Sequence, residues 1–288
     1  MMKLVQKTIV TVIALMICIS YLPVNAYADR NEGQYTTPLT ITVNEYDMTV
    51  QLANKSVTTL RSKGYSNSEI RAIKNYKETY EKHVMRLKIL DDNTLIANGY
   101  NMEQIKTIRS FTGSDAEMRA ISASLTISAS TNSFNYDGNY TCGTLTYSWN
   151  WTSVPAFKLK DMVAVSWNSW VVTSNSSNVK YYNINTGAYY TQESATFTQD
   201  GNGVLGAAHK FNVSKSDNYY YAKKGSGSFT VRSDVHAAKD FIYYIAYGHS
   251  QLVASISFSA SAPGGVNGSI TFSIGTVIMD SKNGTVIV

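Results

Sequence analysis

The chain has 288 residues, a formal net charge of +5, 44% hydrophobic residues and two cysteines. No basic run exceeds Lys223-Lys224, which excludes the clustered charge that nucleic-acid binding needs. No stretch beyond the N-terminal segment is apolar enough to span a membrane as a helix.

That segment comes first in the chain. Lys3 and Lys7 precede an apolar run over residues 8–19, and Ala26-Tyr27-Ala28 is a small-x-small cleavage pattern. Residues 1–28 are therefore predicted to be a secretory signal cleaved after Ala28. Ile17 stands before Cys18, where a lipoprotein signal wants a small side chain. Cleavage removes Cys18 and leaves Cys142 as the sole cysteine, so no intramolecular disulfide can form. The remaining chain of about 260 residues is long enough to be held by apolar burial alone. The pattern fits a bacterial protein that is secreted and acts outside the cell.

Composition changes near residue 120. From Asp29 to Ala120 there are 13 Lys/Arg and 12 Asp/Glu; from Ile121 to Val288 there are 10 and 8 in a longer stretch. All four tryptophans and 13 of the 21 tyrosines lie in the second part. The expected organisation is a helical region over 29–120 and a β-sandwich domain over 121–288. In sequence order this is α+β: small helical hairpins, then an antiparallel sandwich, with a closed β-barrel as the alternative.

In the first part, Leu39 to Val43 suits a short strand. Ser66 to Glu69 is a capping box. Ile70, Ile73, Tyr76, Tyr80, Val84 and Leu87 then recur at helical spacing, opposite a charged face that includes Lys74, Lys82 and Arg86. His83 falls among those charged residues and is expected to be exposed. "LRSKGYSNSEIRAIKNY" from Leu60 and "LIANGYNMEQIKTIRSF" from Leu95 share a pattern at a period of 35 residues. Each reads as a helix ended by glycine, a tyrosine, and a newly capped helix.

The second part is a series of alternating segments separated by Asn-, Gly- and Ser-rich turns. In "TLTYSWNWT", Thr144 to Thr152, Leu145, Tyr147, Trp149 and Trp151 share one face. That face is expected to be core, with a sugar-stacking platform as the alternative. In "DMVAVSWNSWVV" from Asp161, Val163, Val165 and Trp167 share a face and Trp170 falls on the other. Unless a bulge at Asn168-Ser169 returns it inward, Trp170 is expected to contact a partner. Tyrosines occur in runs, so Tyr182, Tyr190 and Tyr220 are candidates for an outer face, beside an equally ordinary role as strand formers.

Catalytic patterns are sparse. No nucleophile elbow, HExxH or phosphate loop occurs. Asp234 and His236 would share a face if extended, and His209 or His249 could join them in an acid–base site. No metal or cofactor is expected. From Ala254 to Val277, two segments alternate Ser/Thr with apolar residues around "PGGVNG". Ile256, Phe258, Ile270, Phe272 and Ile274 would form the lipid face of a membrane-inserting β-hairpin. The expected function is non-catalytic binding of an extracellular glycan or protein. A membrane-active, oligomerising hairpin protein is second, and a hydrolase using the Asp/His residues is third.

Overall fold

Seven helices lie between residues 45 and 121, and six of them open on a side chain that accepts an amide of the first turn. They are α1 (Glu45–Ala53), α2 (Val57–Ser62), α3 (Asn67–Lys74), α4 (Tyr76–Lys88), α5 (Asp92–Ala97), α6 (Met102–Ser110) and α7 (Asp115–Ile121). The computed structural model describes residues 39–200, 204–251, 258–264, 267–272 and 276–286. The signal segment lies outside these residues.

The 35-residue repeat is a repeat of geometry. α3 and α6 each start with a full capping box, Ser66 with Glu69 and Asn101 with Gln104. The preceding helices end alike: Tyr65 N–H donates to the Leu60 carbonyl and Tyr100 N–H to the Leu95 carbonyl, both at 3.1 Å. Gly64 and Gly99 sit at φ +91° and +101°, the left-handed position that closes such a helix end. At Gly99 space also demands glycine, because a Cβ would collide with the Thr152 carbonyl. The tyrosines that follow pack inward. Tyr100 is buried, and its hydroxyl reaches His83 Nε2 at 3.4 Å and the Val154 carbonyl at 3.3 Å. His83 is thus buried rather than exposed, because the helix turns it toward this corner.

Fourteen strands are described. In chain order they are β1 (Leu39–Asn44), β2 (Ser124–Tyr136), β3 (Thr141–Trp151), β4 (Lys160–Trp167), β5 (Trp170–Asn183), β6 (Tyr189–Glu193) and β7 (Thr196–Gln199). Then follow β8 (Gly206–Asn212), β9 (Ser214–Lys215), β10 (Tyr220–Ser233), β11 (Phe241–Ser250), β12 (Phe258–Gly264), β13 (Asn267–Phe272) and β14 (Thr276–Val286). They form a seven-stranded sheet ordered β1-β2-β3-β10-β5-β6, with β9 paired to β10, and a five-stranded sheet ordered β14-β11-β4-β8-β7. Among the described residues, β12 and β13 pair only with each other. The pairings are antiparallel, and the two main sheets face each other as a sandwich rather than closing into a barrel.

The core lies between the sheets. Leu145, Tyr147, Trp149 and Trp151 are all buried on the inner face of β3. Trp149 stacks on Phe211 of β8 at 4.7 Å, with 2° between the ring planes, and Trp151 meets Tyr247 of β11 edge-on. The unbroken alternation of this strand therefore serves the core. β4 departs from that pattern and is buried on both faces over Asp161–Trp167. Its inner side carries Val163, Val165 and Trp167, while Met162 and Ala164 lie under the β12–β13 hairpin with Ile270 and Phe258. A second apolar core joins the helices through Tyr46, Tyr80, Val84, Leu87, Tyr100, Ile105 and Ile108.

Candidate functional site

The residues singled out from the sequence go to different places. Trp170 does not stand on the outer surface. It is fully buried, and the reason is a change of sheet. Trp167 ends β4 in one sheet and Trp170 begins β5 in the other, with Ser169 at φ +66° making the crossing. Strand parity does not carry across such a turn. The indole meets Phe241 edge-on at 5.0 Å, and its Nε1–H donates to Asn168 Oδ1 at 3.0 Å.

The acid–base candidates are not brought together. Asp234 and His236 lie in an exposed bend between β10 and β11, so the extended spacing that would align them is absent. Asp234 Oδ1 pairs with Lys239 Nζ at 2.5 Å. His236 bonds Asn139 through Nδ1 and the Tyr140 hydroxyl through Nε2. His209 is buried elsewhere, receiving the Tyr147 hydroxyl at Nδ1 (2.6 Å) and donating from Nε2 to Asn175 Oδ1 (3.1 Å). Burial lowers its pKa to about 4, so this imidazole is neutral.

His249 belongs to a centre of its own. Its Nδ1 lies 2.7 Å from Asp161 Oδ1 and its Nε2 3.2 Å from Glu45 Oε1, with no solvent exposure at any of the three residues. Tyr247 donates its hydroxyl to Asp161 Oδ2 at 2.5 Å, and the Ala156 and Phe157 amides donate to the Glu45 carboxylate. Desolvation alone would lower the His249 pKa. The Asp161 carboxylate, by charge and hydrogen bond, and then Glu45 outweigh it and raise the pKa to about 10. Glu45 comes from α1, Asp161 from β4 and His249 from β11, so the centre pins the helical stretch to the five-stranded sheet. Parity hinted at it: Tyr243, Ile245, Tyr247 and His249 share the inner face of β11, where an imidazole requires a polar partner. The identity of Glu45, distant in sequence, had no such signal.

Apart from Tyr136 at the end of β2, the most exposed tyrosines lie at the β6 edge of the seven-stranded sheet. Tyr189 and Tyr190 on β6 are 55% and 50% exposed, and Tyr219 is 56% exposed. Tyr190 stacks on Tyr220 with centroids 3.8 Å apart and 16° between planes. Tyr182 on β5 meets Tyr189 edge-on at 5.8 Å, with Lys223 Nζ 5.3 Å and Lys224 Nζ 5.9 Å from its ring. In each tyrosine run of β5 and β10 one neighbour is core, Tyr181 or Tyr221, and the next, Tyr182 or Tyr220, is half-buried. Beside this edge, His83, Arg86, Lys158 and Tyr219 border a depression of about 280 Å³. Desolvation, then Arg86, lowers the Lys158 pKa to about 8.

The β12–β13 hairpin presents Ile270, 4% exposed, to the outer face of the five-stranded sheet. Phe272 pairs with Phe258 across the hairpin. Ile256 and Ile274 lie outside the described residues. No described helix is long and apolar enough to cross a membrane.

No family model matches the chain, and no curated protein matches it. Among solved structures, it is similar to the C-terminal domain of the Streptococcus pyogenes antigen I/II-family protein AspA, at 11% identity and a TM-score of 0.27. That match covers 44% of this chain and 49% of the other, so the chain spans about half the length of the structure it matches. The KRT10-binding region domain of the pneumococcal serine-rich repeat protein PsrP is similar at 14% identity and a TM-score of 0.23, over 43% of this chain and 77% of that one. The Clostridium perfringens NetB toxin in its membrane-inserted form is similar at 9% identity and a TM-score of 0.23, over 56% and 88%.

Proposed function

We propose that this chain is an exported, non-catalytic binding module that holds a glycan or protein partner on the tyrosine-bearing edge of the seven-stranded sheet. The observation that carries this reading is the Tyr190–Tyr220 stack, in which the half-buried Tyr220 ring backs the exposed ring of Tyr190. Two rings already held against each other lose little freedom when a third planar or apolar surface settles on them. Tyr182 and Tyr189 extend the same edge. Replacing Tyr190 and Tyr220 together with serine is expected to weaken capture on an array of extracellular glycans and purified matrix proteins by tenfold or more. The melting temperature should fall only modestly, because Tyr190 is half exposed and Tyr220 only partly buried against the core. An unchanged binding profile would remove these tyrosines from the role.

A second reading follows from the β12–β13 hairpin, which among the described residues shares no ladder with either main sheet. It can leave the outer face without breaking their hydrogen bonds. Membrane insertion would then use Phe258 and Ile270. Leakage of dye from anionic liposomes that vanishes in folded Phe258→Asp and Ile270→Asp variants would favour this role over the first; absence of leakage from the native chain would end it.

A further inference from the structure

We propose that the groove across β3, β10 and β5 on the outer face of the seven-stranded sheet binds an anionic sugar, with Lys180 and Lys224 as its charge contacts. The inference rests on the binding role proposed above and names its ligand class.

The first observation is the register. Lys224 of β10 stands directly opposite Lys180 of β5. Like charges at directly opposed positions destabilise a sheet. A nearby carboxylate would relieve them, yet neither lysine makes an ion pair among the described residues. The groove around them, about 340 Å³, has no acidic residue in its lining. An anion from outside is the group that this pair lacks.

The second observation is the rest of the lining. Apart from the lysines its outward side chains are amides and hydroxyls, Asn150 and Asn178 with Thr126, Ser128, Ser148 and Ser226. Asn178 Nδ2 already donates to Ser226 Oγ at 2.7 Å, which fixes the amide and leaves acceptors and donors facing the groove. Asn150 lies opposite Lys224 on the other flank, in β3. Gly225, between Lys224 and Ser226, carries no side chain and turns that side to the core, where a Cβ would stand 2.7 Å from the Trp149 ring. Hydroxyl and amide groups that both donate and accept match the alcohols of a sugar, and the Tyr182 ring, next to Lys224 Nζ, gives a face for stacking. An acidic peptide would satisfy the lysines but would leave the hydroxyl lining to water. The shared ligand chemistry is a sugar carrying carboxylate or sulfate.

The test is calorimetric titration of the full chain with four probes. They are a galacturonic acid tetramer, a heparin-derived tetrasaccharide, a neutral cellotetraose and a tetraglutamate peptide. The expected result is binding of one or both anionic sugars in preference to the other two. Binding of the first alone assigns carboxylate, and of the second alone assigns sulfate. Lys180→Ser with Lys224→Ser should weaken that binding at least about tenfold, as loss of two charge-assisted contacts implies. Added salt should weaken the native chain and leave the variant nearly unaffected. The variant should melt no lower than the native chain, since it relieves a repulsion, which separates lost contacts from lost folding. The inference is overturned if neither anionic sugar binds, if the variant binds them equally well, or if tetraglutamate binds as tightly. Titrating the Tyr190 and Tyr220 double variant alongside separates the two failures. Array binding that depends on those tyrosines while no anionic sugar binds would sink the sugar and leave the binding role standing.

Discussion

Replacing His249 with asparagine lowers the folding free energy by about 3–5 kcal/mol, the range seen when one partner of a buried ion pair is removed. The reason is the state left behind. Asp161 and Glu45 are buried without exposure, and the imidazolium lies between them. Without it, two carboxylates share a desolvated site. Tyr247 and the amides of Ala156 and Phe157 still donate to them but cannot neutralise them. The pH dependence has a definite sign. His249 is raised from about 6.5 to about 10 on folding, so its contribution is complete below the unfolded value. It is lost as pH climbs through that interval toward 10. Urea titrations of the native chain and the variant should therefore show a difference that is largest below pH 6.5 and shrinks as pH rises. A difference independent of pH over that interval would show that the imidazole is not charged there. Because Glu45 belongs to α1, the variant should also lose fixed packing of the helices before the sheets, visible as an early loss of near-ultraviolet circular dichroism from Tyr46 and Tyr80.

What could be read from the sequence was local in its physics. The capping boxes, the paired Gly-Tyr corners and the inner face of β3 each depend on residues within one helix end or one strand. Their spacing is the structure. What could not be read depended on which surface covers which. β4 alternates in sequence like a half-exposed strand, yet Met162 and Ala164 are buried because the β12–β13 hairpin lies over them. The strand calls for small residues on that side, and Ala164, Ala208 and Ala246 show the closeness of the cover. Asp161 and His249 are direct cross-strand partners of β4 and β11, but their third member is a helix residue 204 positions from His249. Lys180 and Lys224 likewise become a pair only through the register of β5 on β10. The tyrosine runs are intermediate: alternation sends the members of each pair to opposite faces, but only the fold brings Tyr190 onto Tyr220 and Tyr189 onto Tyr182.

Trp170→Ala is expected to lower stability by about 3–5 kcal/mol, as for other buried aromatic truncations, and to leave binding by the folded protein unchanged. For a chain of this size that corresponds to a melting temperature lower by roughly 10 °C. Read by parity, Trp170 belongs to the outer surface and its loss would be a loss of partner. The crossing at Ser169 reverses that expectation. The indole fills space between Phe241 and Phe134, with centroids at 5.0 and 5.8 Å, while the Trp170 backbone carbonyl accepts the Trp167 Nε1–H at 3.0 Å. Its own Nε1–H goes to Asn168 Oδ1, which also accepts the Ile242 amide at 2.9 Å and so ties the crossing to β11. Trp170→Phe separates the contributions. It keeps most of the ring contact and gives up one hydrogen bond, so it should lower stability by about 1 kcal/mol plus the smaller ring's share of packing. A Trp170→Ala protein that melts with the native chain, or that stays folded while losing its partner, would place the indole on the surface after all. A large loss of stability with unchanged affinity places it in the core and leaves partner contact to the tyrosines and lysines of the outer face.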